Sequence, residues 1–289
     1  IQSCFRCCRE MGSRLYQVAR NVEVLTMYQK LLRKIEEEKP SYHQEEIQWL
    51  LDHLGDSSPE IRDDLVFTSF ARGIQEELFT QEQFHFIAEG ISSDGGLDKE
   101  IDKVGLSTLE RSFRALIYAN LLSADANQQS IFYQELNAGI RNVLLNQGLY
   151  YLSKEKDTTG FSSQYGRVHA FAHGADLLTE VVCHPDFPKT RVHEVFEILG
   201  QLFKRMSIRF TDDEDWRLAR VLYEPILQGK LAQEQVASWI KTVDFPIEER
   251  EDFYKFSNFR SCLLEVYAQL DQRNSLQDDL KQAIQSFQY

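Results

Sequence analysis

The stretch LLDHLGDSSPEIRDDL, Leu50 to Leu65, decides the fold. Apolar residues at three- and four-residue spacing stand on either side of a short polar interruption, so it reads as one helix ending and the next beginning. Asp56 sits between the two helices. Pro59 suits a first helical turn, where its missing N–H has no partner to lose. Outward from here the same texture continues. Ser41 with Gln44, Ser57 with Glu60, Thr80 with Gln83, Ser107 with Glu110 and Thr211 with Glu214 each place a hydroxyl three residues ahead of an acid or amide. That spacing closes a capping box, so five helices are predicted to begin there. A Lys/Glu-rich helix is predicted from Tyr28 to Glu38. Others are predicted over Gln129–Asn146, Tyr165–Cys183, Thr190–Ser207, Leu231–Thr242, Glu248–Leu270 and Leu276–Phe287. Alternating β-branched runs and Asn-Gly turns are missing, so no strand is predicted and the chain reads as all-α.

Segments of similar texture begin at Arg62, Arg111, His169, Trp216 and Phe259, 43 to 58 residues apart. Each follows another helix, giving a helix pair of ~40 to 50 residues as the unit, the range of HEAT and armadillo repeats. Leu50–Leu65 resembles a HEAT repeat in Asp56, Pro59 and Ile61-Arg62. The expected architecture is therefore stacked antiparallel helix pairs in a HEAT-like, armadillo-type right-handed superhelix, a single domain over 27–289. An irregular helical bundle is the alternative. In either, second helices of the pairs would line a concave face. Residues 1–26 hold three of the five cysteines and four Arg without a Lys, and are expected to be an atypical N-terminal extension or fragment end.

The 289 residues suffice to bury roughly three quarters of the unfolded chain's surface without metal or disulfide staples. A net charge of −13 repels phosphate backbones and anionic lipid, which argues against nucleic-acid and membrane-surface roles. The most apolar run, Ala115–Leu122, is too short to cross a bilayer and no secretory signal is visible, so a cytoplasmic location is expected. Cys4 and Cys7 have metal-ligand spacing but lack a second pair, and Cys183 and Cys262 stand alone; none is given a role. The chain contains no GxSxG elbow, phosphate-binding GxxxxGK[ST] loop or GxGxxG fingerprint.

The densest chemistry lies in YGRVHAFAHGADLL, Tyr165–Leu178. On one helix His173 would stand about 40° and Asp176 about 20° from His169, in a single polar stripe. Gly174 and the alanines around it would let a neighbouring helix or ligand approach closely. Two imidazoles four residues apart can clamp a divalent metal ion, which would need a third ligand from Asp63, Asp64, Asp213 or Asp215. No HExxH glutamate is present to serve as base. The alternatives are a metal-free ligand groove, or imidazoles that hold carbonyls and carboxylates between helix pairs, with Asp176 paired to an arginine. Arg111, Arg114, Arg217 and Arg220 are spaced to lie on the inner helices, where they would neutralise acids or hold an anionic partner. Acids at Asp63-Asp64 and Asp212–Asp215 also suit helix N-termini by the macrodipole alone.

The segment HAFAHGADLL, together with RDDL (Arg62–Leu65), RSF (Arg111–Phe113) and DEDWRLAR (Asp213–Arg220), resembles the bacterial family called Domain of Unknown Function 2785. The resemblance runs from about Ile47 onward. It implies a cytoplasmic, all-helical bacterial protein without an assigned activity, and carries over no catalytic residue. The family pattern has an aromatic near Arg167 or Val168, which this sequence lacks. Two functions follow as expectations. The first is an interaction module, without cofactor, that binds a protein, peptide or other ligand through His169, His173, Asp176, Arg111, Asp64, Asp215 and Arg217. The second is a metal-dependent or small-molecule enzyme, hydrolase-like, with His169 and His173 as ligands and Asp64 or Asp215 completing the site.

Overall fold

The computed structural model describes residues 26–287. Helix α1 covers 26–36, so of the N-terminal extension only residue 26 is described, and Cys4 and Cys7 lie outside the described residues. There follow α2 (Gln44–Asp52), α3 (π-helical over Glu60–Phe67, α-helical over Thr68–Gln75), α4 (Gln81–Ser92), α5 (Leu106–Ala126) and α6 (Ala138–Lys154). A small hairpin, β1 (Phe161–Ser162) and β2 (Gly166–Arg167), precedes α7 (Ala170–Cys183), α8 (Val192–Arg205), α9 (Glu214–Leu227), α10 (Gln233–Ile240), α11 (Arg250–Gln272) and α12 (Asp278–Ser286). The chain is an all-α single domain: one apolar core runs without a break from Leu31 to Ile284. Among the described residues no helix is long and apolar enough to cross a membrane.

The helices stack in two rows. In one, α3, α5, α7, α9 and α11 each pack on the next; in the other, α2, α4, α6 and α8 do the same, with α6 seated against both α5 and α7. The close approach of α6 and α7 rests on glycine, as the sequence predicts. A Cβ on Gly174 would lie 2.6 Å from Leu152 Cδ2 and 2.9 Å from Tyr151 Cδ1, and one on Gly148 would lie 2.7 Å from Val181. At the C-terminal end Trp239 of α10 stacks on Phe196 of α8 and meets Phe259 of α11 edge-on.

The helices lie near their predicted places, but their starts do not. Only Thr80 closes the expected box, with Gln83 N–H on its hydroxyl and its own N–H on the Gln83 side chain. Before α2 stands His43 rather than Ser41, its N–H donating to Glu46 at 2.6 Å. Pro59 leads α3, and the carbonyl of Ser58, not the side chain of Ser57, takes the N–H groups of Ile61 and Arg62. Gly105 leads α5 at φ 89°, leaving Ser107 to bond Glu100; Asp213 leads α9 at φ 66°, leaving Thr211 to bond Asp212. The helix expected from Gln129 begins at Ala138, capped by Asn137. Before it, side chains win over helix: Asp125 takes Leu136 N–H, Asn127 takes Gln129 N–H and Ser130 takes Phe132 N–H.

A second departure falls in the segment 155–169. The hairpin at Phe161–Arg167 takes up Tyr165–Arg167, where helix was expected, together with residues 161–164, expected as loop, and α7 starts five residues later than Tyr165. This segment is tied down at several points. Asp157 accepts from Thr108 Oγ1 at 2.8 Å and from Gly105 N–H at 3.2 Å. The fully buried Arg62, its guanidinium 4.8 Å from the Phe113 ring centroid, donates to the carbonyls of Tyr165 and Arg167. Gly166, at φ 69°, rests on Pro59, and Gly160 rests on Asp212. The segment thus contacts the leading ends of α3 and α5, the turn before α9, and α7 itself.

Candidate functional site

Beneath that segment lies a cavity of about 380 Å³ between α3, α5, α7 and α9. The π-helical turns of α3 bring Asp63, Asp64 and Phe67 to it. Phe113 and Leu116 come from α5, Arg167 from the hairpin, His169 and His173 from α7 and the residue before it, and Asp213 and Arg217 from α9 and the residue before it. A second hollow of about 260 Å³ shares Phe67, Leu116 and Arg217, and continues past Gln75, Asn120, Asp176 and Arg220. The two adjoin along the odd-numbered row.

His169 is not on the helix. It leads α7 in the left-handed region at φ 47°, so the predicted stripe of three side chains on one helix face does not form. Left-handed backbone costs a residue with a Cβ about 1 to 2 kcal/mol, and Asp213 carries the same conformation on the same cavity. The two imidazoles still meet, with ring centroids 5.6 Å apart.

His173 is 5% exposed. Its Nδ1 lies 2.8 Å from Ser112 Oγ, which also bonds the Val168 carbonyl. A carbonyl only accepts, so the single hydroxyl proton goes to Val168, and His173 Nδ1 must carry hydrogen and donate to Ser112. This network assigns the tautomer and leaves a lone pair on Nε2. Burial, then His169 and Arg217, holds His173 well below the usual histidine range, so it is neutral. Burial, with help from Arg217 and Arg167, also lowers His169. Phe113 closes on the His173 ring edge-on at 5.2 Å.

Asp176 faces the second hollow and is clamped by Arg217 and by Arg220, the latter at 2.9 Å. Burial nevertheless pushes its carboxyl up against the pull of both arginines. Burial likewise raises Asp63, whose carboxylate stands 2.8 Å from Arg62 Nε without hydrogen-bond alignment. Arg217 Nε is buried and has no partner among the described residues.

Of the predicted site residues, His169, His173, Asp64 and Arg217 share the first cavity, and Asp176 lies in the adjoining one. Arg111 and Asp215 line neither. Arg111 is buried against Glu155, with remaining donors on the carbonyls of Glu100 and Lys103. Asp215 accepts from its neighbour Trp216 N–H and stands 3.6 Å from Arg209. The third metal ligand expected from Asp64 or Asp215 does not converge: among the described residues no group of three or more His, Cys, Asp or Glu side chains could hold a metal ion. Ser112, Phe67, Phe113, Leu116 and Arg167 join the site without standing among the residues that the sequence marks for it. Ser112 and Phe113 stand inside the RSF motif, which was the available signal; the arrival of Phe67 and Arg167 depends on the π-helical turns and the hairpin.

An all-α chain of stacked helices with adjoining polar hollows along one row is the class that this geometry defines. The chain belongs to the family described as a protein of unknown function (DUF2785), whose model matches residues 106–267, from the start of α5 into α11. RSF, HAFAHGADLL and DEDWRLAR fall within the match, while RDDL and the α3 side of the cavity lie outside it. Comparison with curated proteins and with solved structures gave no significant match.

Proposed function

We propose that the chain is a HEAT-like helical-repeat binding module that takes an extended peptide of a protein partner along the row formed by α3, α5, α7 and α9. One observation carries this reading: the two hollows share Phe67, Leu116 and Arg217 and so adjoin along the row, lined by acids, arginines and histidines. A peptide presents alternating donors, acceptors and side chains along its length, which suits such adjoining hollows better than a compact ligand does. Asp64 and Arg217 would contact charged side chains of the peptide, and His169 and His173 its polar groups. Asp176 would act by holding Arg217 and Arg220. The same reading keeps the chain in the bacterial cytoplasm, a setting that the buried free thiols of Cys183 and Cys262 fit.

Selection of a random peptide library on the protein tests this. Enriched peptides are expected to bind Arg217→Met at least tenfold more weakly than the unmodified chain. A selection that enriches nothing, or peptides indifferent to Arg217→Met and Asn120→Ala, would overturn it.

A further inference from the structure

Two polar atoms of side chains that line the cavity make no hydrogen bond among the described residues. One is Arg217 Nε, a donor, which lies out of contact with water although one outer nitrogen of the same guanidinium is used on Asp176. The other is Nε2 of His173. Because Ser112 gives its only proton to Val168, the opposite ring nitrogen of His173 holds the hydrogen and Nε2 is an acceptor. Both side chains line the same cavity of about 380 Å³. Native proteins rarely leave buried polar groups unpaired, since each such group loses its hydrogen bonds to water without replacement. Here a buried donor and a fixed acceptor line one cavity, the acceptor on a ring that is itself held by a two-step relay and by Phe113.

We infer that this pair reads an amide group: the carbonyl of the bound molecule accepts from Arg217 Nε–H, and its N–H donates to His173 Nε2. A carboxylate fills only the first position, because it has no hydrogen to give Nε2. An ammonium fills only the second. An amide supplies both. The inference rests on the peptide reading and deepens it, since the amide would be a peptide bond or an Asn or Gln side chain. The Ser112 hydroxyl and Val168 carbonyl are positioning groups: they fix which imidazole nitrogen is bare.

The test is a long-range ¹H–¹⁵N correlation spectrum of the histidine rings in the full chain at pH 7.5, with His173→Gln used only to assign the signals. In the free protein His173 should show hydrogen on Nδ1 and a bare Nε2. Addition of N-acetyl-diglycine methylamide should move the Nε2 resonance upfield, and the depsipeptide with ester oxygens in place of its amide N–H groups should bind at least tenfold more weakly. Arg217→Met should weaken the amide probe by a similar factor. A bare Nδ1, an Nε2 resonance that the amide leaves unmoved, or equal binding of amide and ester would each overturn the inference, and the last of these needs no variant. If selected peptides bind the row while Nε2 stays still, the amide contact fails and the peptide reading survives. If the probe moves Nε2 while selection enriches nothing, the peptide reading fails and the amide site stands.

Discussion

Arg111 and Arg217 look alike in the sequence, each on an odd-row helix and each followed three residues later by another arginine. Their surroundings divide the molecule into a closed region and an open one. Arg111 is 1% exposed and every guanidinium nitrogen is taken: Nε and one outer nitrogen by Glu155, and the outer nitrogens also by the carbonyls of Glu100 and Lys103. Tyr151 adds its hydroxyl to Glu155 at 3.0 Å. Arg217 holds Asp176 with one outer nitrogen and leaves Nε bare. A guanidinium fully paired inside the protein ties elements together; one with a free buried donor beside a cavity has capacity left for something else. Spacing put both arginines on the right row. Only the fold decides which one the loop at 155–169 covers.

The strongest way to break that contrast is to remove Glu155, which is fully buried. Glu155→Ala strands the Arg111 charge and should destabilise the fold by about 3 to 5 kcal/mol in urea unfolding. Arg217→Met leaves Asp176 with Arg220 and should lose only about 1.5 kcal/mol. Equal losses would mean that the two regions do not differ as described. Next in size is the seam that joins them, where Gly174 lets α7 lie against Tyr151 and Leu152 of α6, beside Glu155. Gly174→Ala raises helix propensity, yet the overlap at 2.6 Å with Leu152 should prevail and leave a net loss of about 1 to 3 kcal/mol. A stabilised variant would show that the seam can open, and that the closed region yields more than its contacts imply.

The open region should also respond to pH. His173 is neutral in the fold, with its proton affinity held down by burial and by His169, Arg217 and Arg167, whereas in the unfolded chain it titrates near 6.5. The folded form therefore resists a proton that the unfolded form accepts. Its contribution to stability is complete above about pH 6.5 and is lost as pH falls below that, by up to about 1.4 kcal/mol per pH unit. Asp176 and Asp63 shift the other way, since burial raises both, and their share of stability grows as pH falls toward the unfolded carboxylate range. Unfolding measured from pH 7.5 to 5.5 should therefore show a decline that His173→Gln reduces. An unchanged slope in that variant would mean that His173 takes its proton in place, and that its lone pair is not held as the Ser112 relay requires.

How far the sequence could be read follows the same division. Helical class, approximate helix positions and the two arginine-bearing inner helices were legible because apolar spacing reports them directly. The pairing of Asp176 with an arginine was legible as an alternative, and so was the closeness of His169 and His173. What escaped was set by contacts distant in sequence. Nothing local to Tyr165–Val168 announces that a buried Arg62, about a hundred residues earlier, will take two of its carbonyls and hold it out of the helix. The same contact puts His169 ahead of the helix instead of on it. For Arg111 the sequence leaves open whether it neutralises an acid or holds a partner, because Glu155, the acid it pairs with, lies in a loop whose path no periodicity reports.

The smallest effect concerns the helix starts, and it separates the rows. In the even row α4 and α6 are capped by the side chains of Thr80 and Asn137. In the odd row α5, α7 and α9 begin at Gly105, His169 and Asp213, all at positive φ and none with a side-chain cap, where the 155–169 segment and the cavity meet them. Sequence spacing gave Thr80, Ser57 and Ser107 the same role. The structure gives it to Thr80 alone. Thr80→Ala should therefore remove about 1 kcal/mol of stability, while Ser57→Ala, whose side chain caps nothing, should stay within about 0.5 kcal/mol. Ser107→Ala loses a surface bond to Glu100 and should fall in the same narrow range. Parallel urea titrations of the three variants would decide it. A loss at Ser57 or Ser107 as large as that at Thr80 would mean that the odd-row helices are capped locally after all, and that their leading turns do not depend on the loop that covers them.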